Sequence, residues 1–177
     1  MCWQYTKFYL QELSLIFEGV QLDSTAWDFI TDPDPLILTK TTQISLVHRR
    51  DPMDSITIKR FDKDGKVVGL YQFIGLFTSV AYNQSAREIP LLRRKIARTL
   101  ERSGFDEQWH DGKTLLHILE SFPRDELFQA SEDWLFETSM AILQLQNRQR
   151  LTLFIRPDKF ERFVTCLVYV PRERYDS

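Results

Sequence analysis

The stretch SITIKRFDKDGKVVGLYQFIGLF, residues 55–77, decides the fold class. Ile56 and Ile58 alternate with Thr57 and Lys59, the two-residue period of a strand wet on one face. Asp62-Lys63-Asp64-Gly65 follows, and a glycine there supplies the positive φ that closes a hairpin. Val67 to Phe77 then reads as the returning strand, so the pairing is antiparallel. Gly69 and Gly75 inside that strand mark a bulge or a close backbone approach.

Upstream, Leu36 to Val47 is rich in Thr, Ile and Leu and reads as another strand. Before it, Thr31-Asp32-Pro33-Asp34-Pro35 is a double-proline breaker that sets the expected boundary. Residues 1–33 are expected to form a helical appendage or linker. Its core is a short amphipathic helix over Tyr5 to Val20, with Phe8, Leu10, Leu13, Ile16 and Phe17 three or four apart.

Downstream the period becomes helical. Ser85-Ala86-Arg87-Glu88 fits a capping box, with a start at Pro90 as the alternative; Leu92, Ile96 and Leu100 form the buried stripe and Gly104 the cap. Asp111 can cap a second helix carrying Leu115, Leu116 and Leu119 and stopping at Phe122-Pro123. Ser131 can cap a third, with Phe136, Met140 and Leu143 inward. Leu151, Leu153 and Ile155 alternate with Thr152 and Phe154, Arg156-Pro157-Asp158-Lys159 turns, and Phe163 to Val170 runs back. The expectation is one α+β domain over 34–177. It has an antiparallel sheet of about five strands, a cluster of about three helices, and the order βββαααββ.

Composition restricts the function. With 43% hydrophobic and 13% aromatic residues in 177, the chain can build a core and is not disordered. No apolar run approaches the roughly 20 residues that cross a bilayer, and Met1 to Val20 is not a secretory signal; a soluble, cytoplasmic protein is expected. Two cysteines, Cys2 and Cys166, exclude a disulfide framework, and Cys166 among Thr165, Leu167 and Val168 reads as a buried, inert thiol. The net charge of −2 hides blocks. Residues 49–102 hold twelve Lys/Arg against six Asp/Glu, and residues 103–140 hold two against nine. Such blocks suit docking between modules of a larger assembly, an anion site, or an ordinary solvated surface.

No G-x-G-x-x-G joins a strand to a helix, and no P-loop or G-x-S-x-G elbow is present. Phe61 to Lys66 lacks the third oxygen ligand and closing glutamate of a calcium loop. His110 and Asp111, with His117 beyond them, fall short of the three or four ligands zinc takes and read as residues of a helix start and surface. The basic helix carries Arg87, Arg93, Arg94, Lys95, Arg98 and Arg102, but the acidic pI of 5.9 argues against nucleic acid. The polar loop Thr78 to Ser85 before that helix reads as a helix-capping connector, with a small carboxylate beside Arg87 or Arg49 as the alternative. The candidate ligand or docking residues are therefore Arg49, Tyr82, Asn83, Arg87, Arg94 and Arg98, with no catalytic, cofactor or metal residue assigned.

Long strings carry a resemblance. They include His48-Arg49-Arg50, Ile58-Lys59-Arg60-Phe61, Gly75-Leu76-Phe77-Thr78-Ser79, Ala81-Tyr82-Asn83 and Arg87-Glu88-Ile89-Pro90-Leu91-Leu92-Arg93. They continue through His110-Asp111-Gly112-Lys113, Phe122-Pro123-Arg124-Asp125-Glu126-Leu127-Phe128-Gln129 and Leu167-Val168-Tyr169-Val170-Pro171-Arg172-Glu173-Arg174-Tyr175. Over about residues 35–177 the chain resembles the large-subunit class of bacterial NAD-specific glutamate dehydrogenases. The resemblance implies a segment of that family's N-terminal region, which holds ACT-like and PAS-like modules ahead of the catalytic domain. The complete enzyme oxidatively deaminates L-glutamate to 2-oxoglutarate with NAD. This stretch would be a regulatory or structural module, inactive alone and without a cofactor of its own. Its partners would be other domains or subunits of a homo-oligomer, with an amino acid or small metabolite as alternative ligand. ACT modules run βαββαβ, so the order read above favours the PAS-like module.

Overall fold

In the computed structural model the described residues are 11–16, 24–46, 50–145 and 150–171; among them the side chains of 11–16 and 24–27 are not described. They form an α+β chain that divides into two compact units, Met1–Tyr82 and Asn83–Ser177. The double-proline stretch Asp32–Pro35 leads from a helix into a strand.

The first unit holds β1 (Gln11–Ile16), α1 (Ser24–Thr31), β2 (Leu36–Ile44), β3 (Pro52–Phe61) and β4 (Val67–Gly75), and α2 (Ser79–Asn83) follows. Its four-stranded sheet has the order β1-β4-β3-β2, antiparallel throughout. The 62–66 turn forms as expected: Gly65 has φ 78°, and the Asp62 carboxylate accepts the N–H groups of Asp64 and Lys66 at 3.0 and 2.8 Å. The bulge falls beside Gly69, where the register between β3 and β4 shifts past Arg60 and Phe61. The first segment departs from expectation. Residues 11–16 form a strand, not a helix, with Leu13 opposite Gln72 and Leu15 opposite Leu70. The leucines there fit both periods, and the free edge of β4 offers a ladder of hydrogen bonds that a short helix cannot match.

Beside buried Ile37 and Leu70, much of what the sheet buries is polar. Thr39, Ser55, Thr57 and Lys59 are buried, whereas Ile58 on the opposite face is exposed. Polar groups can lie inside only if hydrogen-bonded. Gln72 donates to Ser55 Oγ at 3.1 Å, and the Ser55 and Thr57 hydroxyls lie 3.5 Å apart. Lys59 Nζ donates to the carbonyls of Ile30 and Asp32, where α1 ends and a cation is favoured by the helix dipole.

The second unit holds α3 (Pro90–Ser103), α4 (His110–Ser121), α5 (Arg124–Gln129), α6 (Glu132–Leu145), β5 (Thr152–Pro157) and β6 (Val164–Tyr169), preceded by a 3-10 turn at Ala86–Glu88. Thus the helical stretch has more helices than the three expected, and the strands divide into a four-stranded and a two-stranded sheet instead of one of five. Over residues 34–177 the order is three strands, then helices, then two strands, as expected. Ser85 caps only the 3-10 turn, accepting from Arg87 N–H, and α3 starts with Pro90 in its first turn, the alternative reading. Gly104 closes α3 at φ 69°. The cap of α4 is Trp109, with Asp111 in the first turn. Ser131 Oγ accepts from Trp134 N–H at the start of α6, as expected. The inward face of α6 is Leu135, Thr138, Ser139 and Ile142, one residue out of phase with the expected Phe136, Met140 and Leu143. Small polar residues fill the contact side there, which an apolar count overlooks.

Lys59 provides a test of the first unit. Lys59→Met should lower its stability by about 1–3 kcal/mol through two unsatisfied carbonyls at the end of α1, read by urea denaturation. Lys59→Arg should recover part of the loss.

Candidate functional site

The second unit is organised by cations reaching into it. On α3, Lys95 follows Leu92 by three and lies in the buried stripe. Its ammonium donates to the carbonyls of Leu127, Phe128 and Ala130 at 2.9, 2.9 and 2.7 Å, so it caps the C-terminal end of α5. On the opposite side, Glu126 of α5 meets Arg156 of β5. Nε and Nη2 donate to the two carboxylate oxygens at 2.7 and 3.0 Å, a bidentate fork. Thr165 of β6 donates to the same carboxylate at 2.8 Å, so both strands of the hairpin hang on Glu126. Glu126 and Arg156 are each 6% exposed, which excludes most of the water that would weaken the pair. Phe154 and Tyr169 meet edge to face at 5.8 Å on the same hairpin. Partial burial raises the Tyr169 phenol above the ordinary tyrosine range, so its share of stability is present below pH 10.0 and lost as pH rises further.

Two arginines on the outward side of α3 pair within the unit. Arg98 forks onto Glu132 at 2.6 and 2.9 Å; Arg102 meets Asp133 at 2.6 Å and lies over the Phe136 ring at 4.1 Å. Both acids sit in the first turn of α6, where negative charge also suits the helix dipole. Before α3, Ser85 donates to Glu120 at 2.8 Å, Ala86 N–H donates to it at 3.2 Å, and Arg124 donates to the Gln84 carbonyl at 2.9 Å.

Arg49 lies outside the described residues, as do His48 and Cys2. Tyr82 is half-buried and Asn83 exposed at the end of α2. Arg87 pairs with Glu107 at 3.1 Å, with both side chains about half exposed. Arg94 and Arg98 share a face of α3 at i and i+4, but Arg98 is committed to Glu132 and Arg94 stands exposed. Cys166 is exposed, not buried, because strand parity sets it with Val164 and Val168 on the outer face. His110 and Asp111 lie 3.3 Å apart at the surface, and the described residues contain no group of three metal-ligating side chains. The interior cluster of Lys95, Glu126, Arg156 and Thr165 was missed. Its signal is a charged residue in phase with a buried stripe: Lys95 with Leu92 and Ile96, Arg156 with Phe154.

The helices and the hairpin correspond to two known sequence families. The glutamate dehydrogenase helical motif 1 model matches residues 89–148, and the glutamate dehydrogenase ACT2 domain model matches residues 152–177. The chain is 40% identical to the NAD-specific glutamate dehydrogenase of Pseudomonas aeruginosa over 160 residues, 90% of this chain and 10% of that protein. It is 40% identical to that of Halomonas elongata over 149 residues and 34% identical to that of Mycobacterium tuberculosis over 148, each 84% of this chain and 9% of the relative. The chain belongs to the NAD-specific glutamate dehydrogenases, as one segment. It spans about a tenth of the length of these relatives. The seam between the two matched models falls between α6 and β5, and the Glu126–Arg156 pair bridges it.

The described residues do not fit the dinucleotide named in that family. A pyrophosphate needs a glycine-rich turn leading from a strand into a helix. Gly65 closes a hairpin, Gly104 ends a helix, and Gly112 lies in α4, where a Cβ would stand 2.1 Å from the Asp106 carbonyl oxygen. Gly75 leads only to the five residues of α2.

Breaking the seam pair from one side should be severe. Arg156→Met leaves a buried carboxylate and should destabilise the second unit by about 3–5 kcal/mol; Arg98→Ala, at an exposed pair, should cost about 1 kcal/mol or less. Chemical denaturation measures both, and hydrogen exchange should show the β5–β6 amides losing protection first.

Proposed function

We propose that this chain is a non-catalytic structural and regulatory module of an NAD-dependent glutamate dehydrogenase. Its work is to dock other domains or subunits of a cytoplasmic homo-oligomer, while the oxidation of L-glutamate with NAD belongs to other parts of the enzyme. The observation that supports this reading is the coincidence of the helical-motif and ACT2 matches with α3–α6 and with the hairpin. Neither part offers a nucleophile with its base or a dinucleotide turn among the described residues.

A second reading makes the segment a sensor of an amino acid or another small carboxylate at the Tyr82–Arg87 loop. Arg124 favours it. Its Nη2 holds the loop at Gln84, while its Nε and Nη1 are buried without an acceptor among the described residues. Buried donors in that state cost free energy until a water or ligand oxygen satisfies them.

Purified chain given L-glutamate and NAD should form no NADH, and turnover would end the structural reading. A thermal-shift panel of amino acids and dicarboxylates separates the two readings. A ligand at a hundred times its Kd should add about 2.7 kcal/mol, and Arg124→Gln should remove the shift. A panel that shifts nothing leaves the docking role alone standing.

A further inference from the structure

The outward side of α3 carries opposite free charges toward its two ends. Arg93 and Arg94 stand exposed before exposed Ala97, and Glu101 stands exposed after it. No ion pair joins any of these three to a described residue. The other cations of the helix are engaged: Lys95 holds the end of α5, Arg98 pairs with Glu132 and Arg102 with Asp133. A cavity of about 530 Å3 opens at the C-terminal end of the same helix. Ala97, Leu100 and Phe105 line it with apolar surface, and Glu101, Asp106 and Glu107 bring carboxylates to it. Glu107 is held by Arg87, and Asp106 accepts from Gln108 N–H, so Glu101 is the carboxylate without a protein partner. An apolar wall beside carboxylates suits the stem and the fork of an arginine, and the negative end of the helix dipole adds to the attraction.

We propose that this cavity receives an arginine from α3 of a second copy of the chain, the two helices packing antiparallel about a two-fold axis at Ala97. Charge and register select this occupant. Arg93 and Glu101 lie four residues to either side of Ala97, and the helical period sets them on opposite flanks of it. The two-fold operation reverses the helix and exchanges its flanks. It therefore lays Arg93 of each copy on Glu101 of the other, and Arg94 over Leu100 in the wall of the cavity. Ala97 on the axis has only a Cβ to hold the helices apart, and packed helices stand about 8–10 Å from axis to axis. Arg98, the other cation near the axis, is neutralised by Glu132 of its own copy, and Glu88 precedes the helix, outside the paired span. The contact is isologous and closes as a dimer. Every residue that it uses lies within the 89–148 match. The proposal rests on the docking reading of the segment and names one partner for it.

The experiment uses the whole chain under reducing conditions. Sedimentation equilibrium should show a dimer, at twice 21.1 kDa, that forms as concentration rises and weakens as salt is added. Arg93→Glu and Glu101→Arg change exposed positions, so circular dichroism should be unchanged. Each alone sets like charges together and should raise the dimer dissociation constant more than about tenfold. An equimolar mixture of the two variants should recover association, because pairing unlike copies restores opposite charges at both contacts. Ala97→Trp, on the axis, should abolish the dimer. A monomer at every concentration would overturn the proposal and leave the cavity to a basic segment elsewhere in the longer polypeptide. So would a dimer indifferent to Arg93→Glu, or a mixture that associates no better than its components. Each of these leaves the non-catalytic reading standing, which NADH formation by the purified chain would end.

Discussion

Most of the second unit depends on the Glu126–Arg156 pair. Six residues are too few to hold α5 as a helix by its own hydrogen bonds, and two strands are too few to hold a sheet. Each is stabilised by the other. The carboxylate draws Arg156 from β5 and Thr165 from β6 onto α5, and Lys95 of α3 takes the three carbonyls on which α5 ends. Burying two charges costs several kcal/mol per ion, and only a bidentate geometry with further hydrogen bonds repays it. That condition is met here. The pair adds directional constraint that apolar packing would not: the hairpin can be seated on α5 in one register only.

The same device recurs in the first unit. Lys59 does for α1 what Lys95 does for α5, satisfying backbone carbonyls at a helix end from a buried position in a neighbouring element. The charge blocks of the sequence take on a different meaning in this light. The basic run contributes Lys95, Arg98 and Arg102 to contacts within the second unit, and the acidic run that follows supplies Glu107, Glu126, Glu132 and Asp133 as their counterparts or as partners of Arg87 and Arg156. Part of the segregation is therefore local pairing within the second unit.

Sequence reasoning was reliable where a local rule has one solution. Asp62 to Gly65 had to turn, Gly104 had to end a helix, and Ser131 capped α6, whereas the start of α3 was left open between Ser85 and Pro90 and fell at Pro90. It failed where two periods competed or where tertiary contact chose between faces. Residues 11–16 satisfied helix and strand alike until the edge of β4 selected strand. Cys166 was placed inside because Leu167 and Val168 beside it are apolar, yet parity alone leaves either face free to be the buried one; Thr165 of β6 and Arg156 of β5 proved to be the residues that reach Glu126. Arginine and lysine in the interior are invisible to any count that equates charge with surface, so the cluster around Glu126 could not be assembled from spacing. The family strings were legible because they are long, and a long match needs no knowledge of which face is buried.

The placement of charge and apolar surface has a physical consequence for how such a segment can meet its surroundings. Exposed pairs such as Arg98–Glu132 contribute little and are screened at physiological salt, so they hold α3 to α6 without offering much to a partner. Two apolar rows also stand exposed: the outer face of β5 and β6, and in the first unit the side chains of Leu36, Ile58 and Tyr71, aligned in one register row across three strands. Contacts through surfaces of that kind strengthen with kosmotropic salts and weaken on cooling, whereas contacts through charge weaken with any added salt. The apolar rows offer contacts of the first kind, and exposed Arg93 and Arg94 of α3 offer contacts of the second.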